Sequence, residues 1–197
     1  DRIPDNIADY GTSSGRKQLA LEEFLKLPET KPASEYIEGE ILQKSMPKAK
    51  HSRLQLRTCN EINQVTETPK IAYAFPELRC TFDGRSIVPD IAVLLWEQIQ
   101  FDESGEPVND VLIAPYWTIE ILSPQQSSNR VTRKIIHCLK HGCQLGLLID
   151  PDDRSILAFL PNQQPQFCEG GDRVPVPENI PLNLTAEQVF AWLKMNQ

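Results

Sequence analysis

Apolar residues along this chain keep two rhythms, one near 3.6 and one of 2, and the switches between them set out the elements. Leu21, Phe24 and Leu25 share one face of a short helix expected over Leu19 to Leu27, ended by Pro28. Tyr36-Ile37-Glu38-Gly39-Glu40-Ile41-Leu42 reads as two short strands turning at Gly39. From His51 to Val65 the spacing of Leu54, Leu56, Ile62 and Val65 is helical, and Arg53, Arg57 and Glu61 line a polar stripe at i, i+4, i+8. A second hairpin is expected from Leu78–Phe82 and Ile87–Trp96, joined through Asp83-Gly84, which readily takes the positive φ angles of a tight turn. Its later part, Val88 to Trp96, is almost wholly apolar apart from Asp90, as a strand covered on both faces would be.

Glu97 to Pro115 is rich in acidic residues, Gly, Pro and Asn and predicts an exposed loop. Strand spacing returns at Tyr116 to Leu122 and stops at Ser123-Pro124; a helix follows from Asn129 to His141, closed by Gly142. Leu145–Ile149 and Ser155–Leu160 form a strand pair around Asp150-Pro151-Asp152-Asp153. A last helix opens at Thr185, with Gln188 three residues on in a capping-box pattern, and runs to Lys194. This order predicts a mixed α/β fold with several hairpins, not a regular βαβ series. Residues 1–17 show no periodicity and read as a mobile tail before a single domain over 18–197.

Composition narrows the function classes. A chain of 197 residues with 40% hydrophobic content can bury one continuous core. It holds no run of 18 apolar residues and no apolar stretch near its start that could serve as a secretory signal, so a cytoplasmic location without membrane contact is expected. Five cysteines, Cys59, Cys80, Cys138, Cys143 and Cys168, form no Cys-x-x-Cys pair and predict reduced thiols. A net charge of -7 argues against a protein that holds nucleic acid by its overall field. Metal-dependent chemistry escapes that objection, because bound divalent cations bring positive charge to the place where phosphate is met.

Two carboxylates stand where composition would place Val or Ile: Asp90 within Ile87-Val88-Pro89-Asp90-Ile91-Ala92-Val93-Leu94, and Glu120 within Trp117-Thr118-Ile119-Glu120-Ile121-Leu122. An ionised carboxylate in such surroundings is costly unless paired, hydrogen-bonded or metal-bound. A hard divalent cation such as Mg²⁺, which prefers oxygen ligands, relieves both burial and mutual repulsion. Taken singly, either residue fits equally the description of a salt-bridge partner or a strand-end cap.

The ordered set Val88-Pro89-Asp90 and, about thirty residues later, Ile119-Glu120-Ile121-Leu122-Ser123-Pro124 resembles the signature of the PD-(D/E)XK nuclease superfamily, in its bacterial restriction-endonuclease-like branch. Tyr36-Ile37-Glu38-Gly39-Glu40, His51 at a helix start, and Leu145 to Pro151 extend the likeness over nearly the whole chain from Leu19. The resemblance implies a central mixed sheet with flanking helices, Mg²⁺- or Mn²⁺-dependent hydrolysis of DNA phosphodiesters, metal ligation by Asp90, Glu120 and the Ile121 carbonyl, and a possible homodimer. It also brings a departure. The superfamily lysine belongs two residues after Glu120, where this chain has Leu122. The branch resembled places its lysine on the next helix, which selects Lys134, with Arg130 one turn earlier as an accessory candidate.

On that helix Arg130, Lys134, His137 and His141 form a polar stripe beside an apolar one of Val131, Ile135, Cys138 and Leu139; either a phosphate-facing stripe or an exposed helix face has this pattern. His137, Cys138, His141 and Cys143 raise a zinc reading, but Cys138 faces another side and no standard ligand spacing is met. Glu77 is a possible third acidic residue near the metal, or a plain loop carboxylate. His51 stays outside the expected catalytic set, and Trp96, Trp117 and Trp192 are expected to pack rather than stack on bases. Two rivals to the nuclease remain: a nuclease-like domain that binds DNA or a protein partner without cutting, and a structural domain in which Asp90 and Glu120 are salt-bridged in the core.

Overall fold

In the computed structural model, which describes residues 19–197, the chain folds as two mixed-size sheets with helices packed on them. The mobile-tail expectation for residues 1–17 lies outside the described residues. Helix α1 (Leu21–Lys26) leads into strands β1 (Ser34–Ile37) and β2 (Glu40–Gln43), joined by Glu38-Gly39, both at positive φ. Helix α2 (Ala49–Thr66) buries Leu54 and Ile62 completely, whereas Leu56 points outward. Strands β3 (Ala72–Pro76), β4 (Cys80–Phe82), β5 (Arg85–Ile87) and β6 (Ile91–Leu95) follow, and after the long loop β7 (Trp117–Ile121). Helix α3 (Ser128–Lys140), strands β8 (Leu145–Asp150), β9 (Ser155–Phe159) and β10 (Gln166–Glu169), and helix α4 (Ala186–Ala191) complete the order.

Four strands in the order β2-β1-β5-β4 make the small sheet, and six in the order β10-β9-β8-β7-β6-β3 make the large one. Within the large sheet only β7 and β8 run parallel. A parallel pair needs a crossover connection, and α3 supplies it. The core lies between the large sheet, α2 and α4, built on Trp117, Ile119, Ile121, Leu54, Ile62, Leu145 and Ile149. At the sheet's β3 edge the Asn63 side chain both donates to the Ala74 carbonyl and accepts from the Ala74 N–H, at 3.1 and 2.7 Å, so the edge backbone is paired.

The chain departs from the expected hairpin at one informative place. Instead of one strand running from Ile87 to Trp96, β5 ends in the small sheet and β6 begins in the large one, with Val88-Pro89-Asp90 as the link. Pro89 has no N–H to continue a ladder, and the Val88 N–H is already given to the Glu35 side chain at 2.8 Å. Two strands, β3 and β10, have weak sequence signals. The inward residues of β3 are alanines, Ala72 and Ala74, and β10 buries only Cys168. All five cysteines are free and buried, and among the described residues no helix is long and apolar enough to cross a membrane.

Candidate active site

The link between the sheets is where the carboxylates gather. Strands β6 and β7 are antiparallel with Ile91 opposite Ile119, so the next position outward sets Asp90 opposite Glu120. Asp90 Oδ2 accepts the Ile121 N–H at 2.7 Å, which fixes the carboxylate against β7. Both side chains are almost fully buried.

Their surroundings come from every neighbouring element. Lys44, just past β2, places Nζ 2.8 Å from Asp90 Oδ1, 2.9 Å from Glu77 Oε2 and 2.6 Å from the Val88 carbonyl. His51, in the first turn of α2, brings Nε2 to 3.2 Å from Asp90 Oδ2. One turn on, Gln55 donates to the Asp90 carbonyl at 2.8 Å and to Glu77 Oε1 at 3.1 Å. On the other side Lys134 of α3 stands between two acids, 3.0 Å from Glu120 Oε1 and 2.8 Å from Glu35 Oε2. Glu35 is itself buried on β1 and accepts from the Val88 N–H.

These contacts decide the protonation states. Burial alone pushes the Asp90 carboxyl up, but the His51 hydrogen bond and the Lys44 charge outweigh it and hold Asp90 well below the usual carboxylate range. Glu120 moves the other way: burial raises it, Lys134 opposes, and the neighbouring Asp90 and Glu35 carboxylates add to the rise. Burial acts to lower both ammonium groups, yet the acids around Lys44 and Lys134 keep both protonated. Three buried carboxyl groups thus face two buried ammonium groups, and the acidic excess falls on Glu120. A hard, oxygen-seeking dication would fit that excess, and Asp90 and Glu120 are the side chains that would hold it.

A cleft of about 590 Å³ opens beside this cluster, with Met46, Lys48, Lys50 and His51 on one wall, Leu122 to Gln125 on the other, and Pro151 and Asp152 at its end. His51 belongs to both cleft and cluster, so the cleft borders the carboxylate centre. On the far side of Lys134 a groove of about 560 Å³ is lined by Arg85, Arg130, Arg133, Lys134, His137 and Lys140, with Glu38 and Glu40 at its edge. The chain's acidity is therefore not uniform: local positive charge flanks the site on both sides.

Of the residues expected from sequence, Asp90, Glu120 and Lys134 come together. Glu77 sits at the rim, half exposed, and reaches the cluster through Lys44 and Gln55. Arg130 remains exposed and makes no ion pair among the described residues, so it flanks the carboxylates rather than joining them. The stripe on α3 is divided: Lys134 and His137 are buried, whereas Arg130 and His141 are exposed. Asp90 and Glu120 do not confront each other unscreened, since the two lysines compensate them. Sequence reasoning missed Glu35, Lys44, His51 and Gln55. His51 and Gln55 carried one usable signal, their one-turn spacing on a polar helix face; Glu35, in a short strand, and Lys44, just past one, carry no local mark. The zinc grouping is also redrawn: Cys138 and Cys143 point into an apolar cluster with Cys80, while His137 and His141 meet Asp83. Trp117 lies in the core and Trp192 packs against it.

Comparison with known proteins gives a family and a similar solved structure. A crystal structure at 1.96 Å described as a putative nuclease belonging to DUF820 from Anabaena variabilis ATCC 29413 is 52% identical to this chain, with a TM-score of 0.87 over 89% of this chain and 99% of that one. No curated protein matches. The model of the Uma2 family, described as "Putative restriction endonuclease", matches residues 21–191, well over half of the sequence. The chain belongs to the Uma2 family.

Proposed function

We propose that this protein is a divalent-metal-dependent DNA endonuclease, using Mg²⁺ or Mn²⁺, whose reaction centre is the Asp90–Glu120 pair with Lys134. The observation that carries this reading is the excess of buried carboxylate over ammonium at the junction of the two sheets, beside a cleft with lysines on its wall. Asp90, Glu120 and the Ile121 carbonyl would hold the ion. When bound, it polarises the scissile phosphate and lowers the pKa of an attacking water. Lys134 keeps its proton through Glu35 and Glu120 and points that positive charge into the centre, where it orients the water or stabilises charge building on the phosphate oxygens. The Ile121 N–H and His51 fix Asp90, so the ligand does not need to reorganise. Lys48 and Lys50 on the cleft wall, and the arginines of the groove, attract the DNA backbone.

One observation favours a second reading, a nuclease-like domain that binds DNA without cutting it. Lys44 already satisfies Asp90 Oδ1 at 2.8 Å and so competes with a metal for that ligand. Cleavage of supercoiled plasmid and of a single-stranded oligonucleotide with Mg²⁺ or Mn²⁺ separates the two, run beside Asp90→Asn and Glu120→Gln. The asparagine keeps the shape and an acceptor for the Ile121 N–H, whereas alanine would strand Lys44. Metal-dependent cutting that disappears in both variants supports the nuclease; no cutting, or equal cutting by all three proteins, supports the binding domain.

A further inference from the structure

Among the described residues, a second cluster of titratable side chains converges apart from the carboxylate centre. Asp83 occupies the turn between β4 and β5, with Gly84, at φ +47° and +72°. His137 and His141, one turn apart on α3, reach that turn from the other side. Asp83 Oδ2 lies 2.9 Å from His141 Nε2 and 3.6 Å from His137 Nε2, and the ligand atoms of all three residues fall within 4.8 Å of one another. The two imidazole centroids are 4.6 Å apart. His137 is about nine-tenths buried, stacked on Phe82, and its Nε2 has no hydrogen-bond partner although it is aimed at Asp83. A buried polar atom without a partner is uncommon and calls for an explanation.

We propose that Asp83, His137 and His141 form a binding site for a zinc-type divalent ion that staples helix α3 to the β4–β5 turn. Zinc takes imidazole nitrogen and carboxylate oxygen at about 2.0–2.2 Å in a tetrahedral shell, which sets neighbouring ligand atoms roughly 3.4 Å apart. The observed separations of 2.9 and 3.6 Å to Asp83 bracket that value. Asp83 and His141 are partly exposed, which leaves the fourth position for water. Burial holds the His137 imidazole in its neutral form, the one that coordinates. Arg85 is near, but its guanidinium is engaged by Glu38 at 3.0 Å, which softens its repulsion of a cation. The site is chemically unlike the reaction centre, having two nitrogens where the other has oxygens, so the two select different ions. Its mechanical effect is specific, since His137 lies three residues beyond Lys134 on the same helix. An ion bound there fixes the helix that delivers the lysine.

The test uses the full chain and Zn²⁺ alone as probe, with excess Mg²⁺ present to occupy oxygen-rich sites. The chain has only three histidines, so the imidazole ¹⁵N resonances can all be followed, with His51 as internal control. Expected are one tightly bound Zn²⁺, displacement of the His137 and His141 resonances with His51 unmoved, and a raised melting temperature. His141→Ala removes an exposed ligand without opening the core, and should weaken binding at least tenfold and remove the thermal shift; Asp83→Asn should do so to a lesser degree. Failure to bind, displacement of His51 instead of the pair, or undiminished binding in His141→Ala would overturn the site. None of these outcomes bears on DNA cleavage, so the staple and the nuclease stand or fall separately.

Discussion

Replacing Lys134 by methionine keeps an unbranched side chain of similar volume and removes the ammonium, with both its charge and its N–H donors. In the native arrangement that ammonium lies 2.8 Å from Glu35 and 3.0 Å from Glu120 and is itself buried. Without it, Glu35 retains the Val88 N–H as a donor, and Glu120 loses the ammonium that faces its Oε1. Lys44 cannot substitute, being held by Asp90, Glu77 and the Val88 carbonyl. Breaking a buried pair by removing one partner costs about 3–5 kcal/mol. The total stability of a domain is only about 5–15 kcal/mol, so Lys134→Met should lose a large share of it, with proton uptake by Glu120 limiting the loss. Urea denaturation in a metal chelator measures this directly. A dication restores the missing positive charge, so saturating Mg²⁺ or Mn²⁺ should stabilise Lys134→Met more than wild type, by about 1.4 kcal/mol for each tenfold gain in affinity. If Lys134 has the role proposed for it, metal will not restore turnover, and plasmid cleavage should fall about a hundredfold or more. Wild-type stability in the chelator, or wild-type-like turnover in a folded variant, would refute the assignment of Lys134 to this cluster.

Gly146 of β8 lies so close under α3 that a Cβ there would fall 2.2 Å from Ile135 Cγ2, a stiff branched side chain. Gly146→Ala should therefore cost about 1–3 kcal/mol and reduce cleavage by shifting Lys134, measured as a lower urea midpoint and slower nicking. Burial raises the thiols of Cys80 to about 12 and of Cys59 and Cys143 to about 11. The folded chain then keeps protons that the unfolded chain releases from about pH 8.5; their contribution to stability is intact at neutral pH and is lost as pH rises toward those values, and a thiol reagent should label the native protein slowly at pH 8 but all five cysteines in urea. Thr185 accepts from the Gln188 N–H at 3.2 Å and Gln188 returns a bond to the Thr185 N–H at 2.9 Å, so Thr185→Ala should cost about 1 kcal/mol by thermal denaturation with cleavage unchanged.

Periodicity carried most of the fold. The helices announced themselves by caps and stops, such as Thr185 with Gln188 and the +101° φ of Gly142, and the core strands by apolar runs. What failed did so for physical reasons. Strand β3 turns alanines inward, and Ala is a poor marker of a buried face. The break at Pro89 depends on Glu35, which lies fifty-three residues before Val88 and takes its N–H, a contact that no local pattern encodes. The site divided in the same way. Asp90 and Glu120 were conspicuous because each interrupts an apolar strand. Lys44, Glu35 and His51 lie among polar neighbours, and what distinguishes them is a tertiary contact that no local pattern encodes.

The residue at 122 shows how the fold accommodates its departure from the superfamily pattern. Positions 120 and 122 point to the same face of β7, so whatever covers Leu122 also lies over Glu120. What covers it is α3: Leu122 packs with Val131 and Ile135 of that helix and with Leu148 and Phe159 of the neighbouring strands. An apolar residue at 122 thus seats the helix, Gly146 beneath Ile135 lets it approach closely, and the same approach carries Lys134 to within 3.0 Å of Glu120. A lysine at 122 would instead put an ammonium into that apolar seat and push the helix away. The absence of lysine from the strand and its presence on the helix are two sides of one packing solution, in which the strand position seats the helix and the helix position carries the charge.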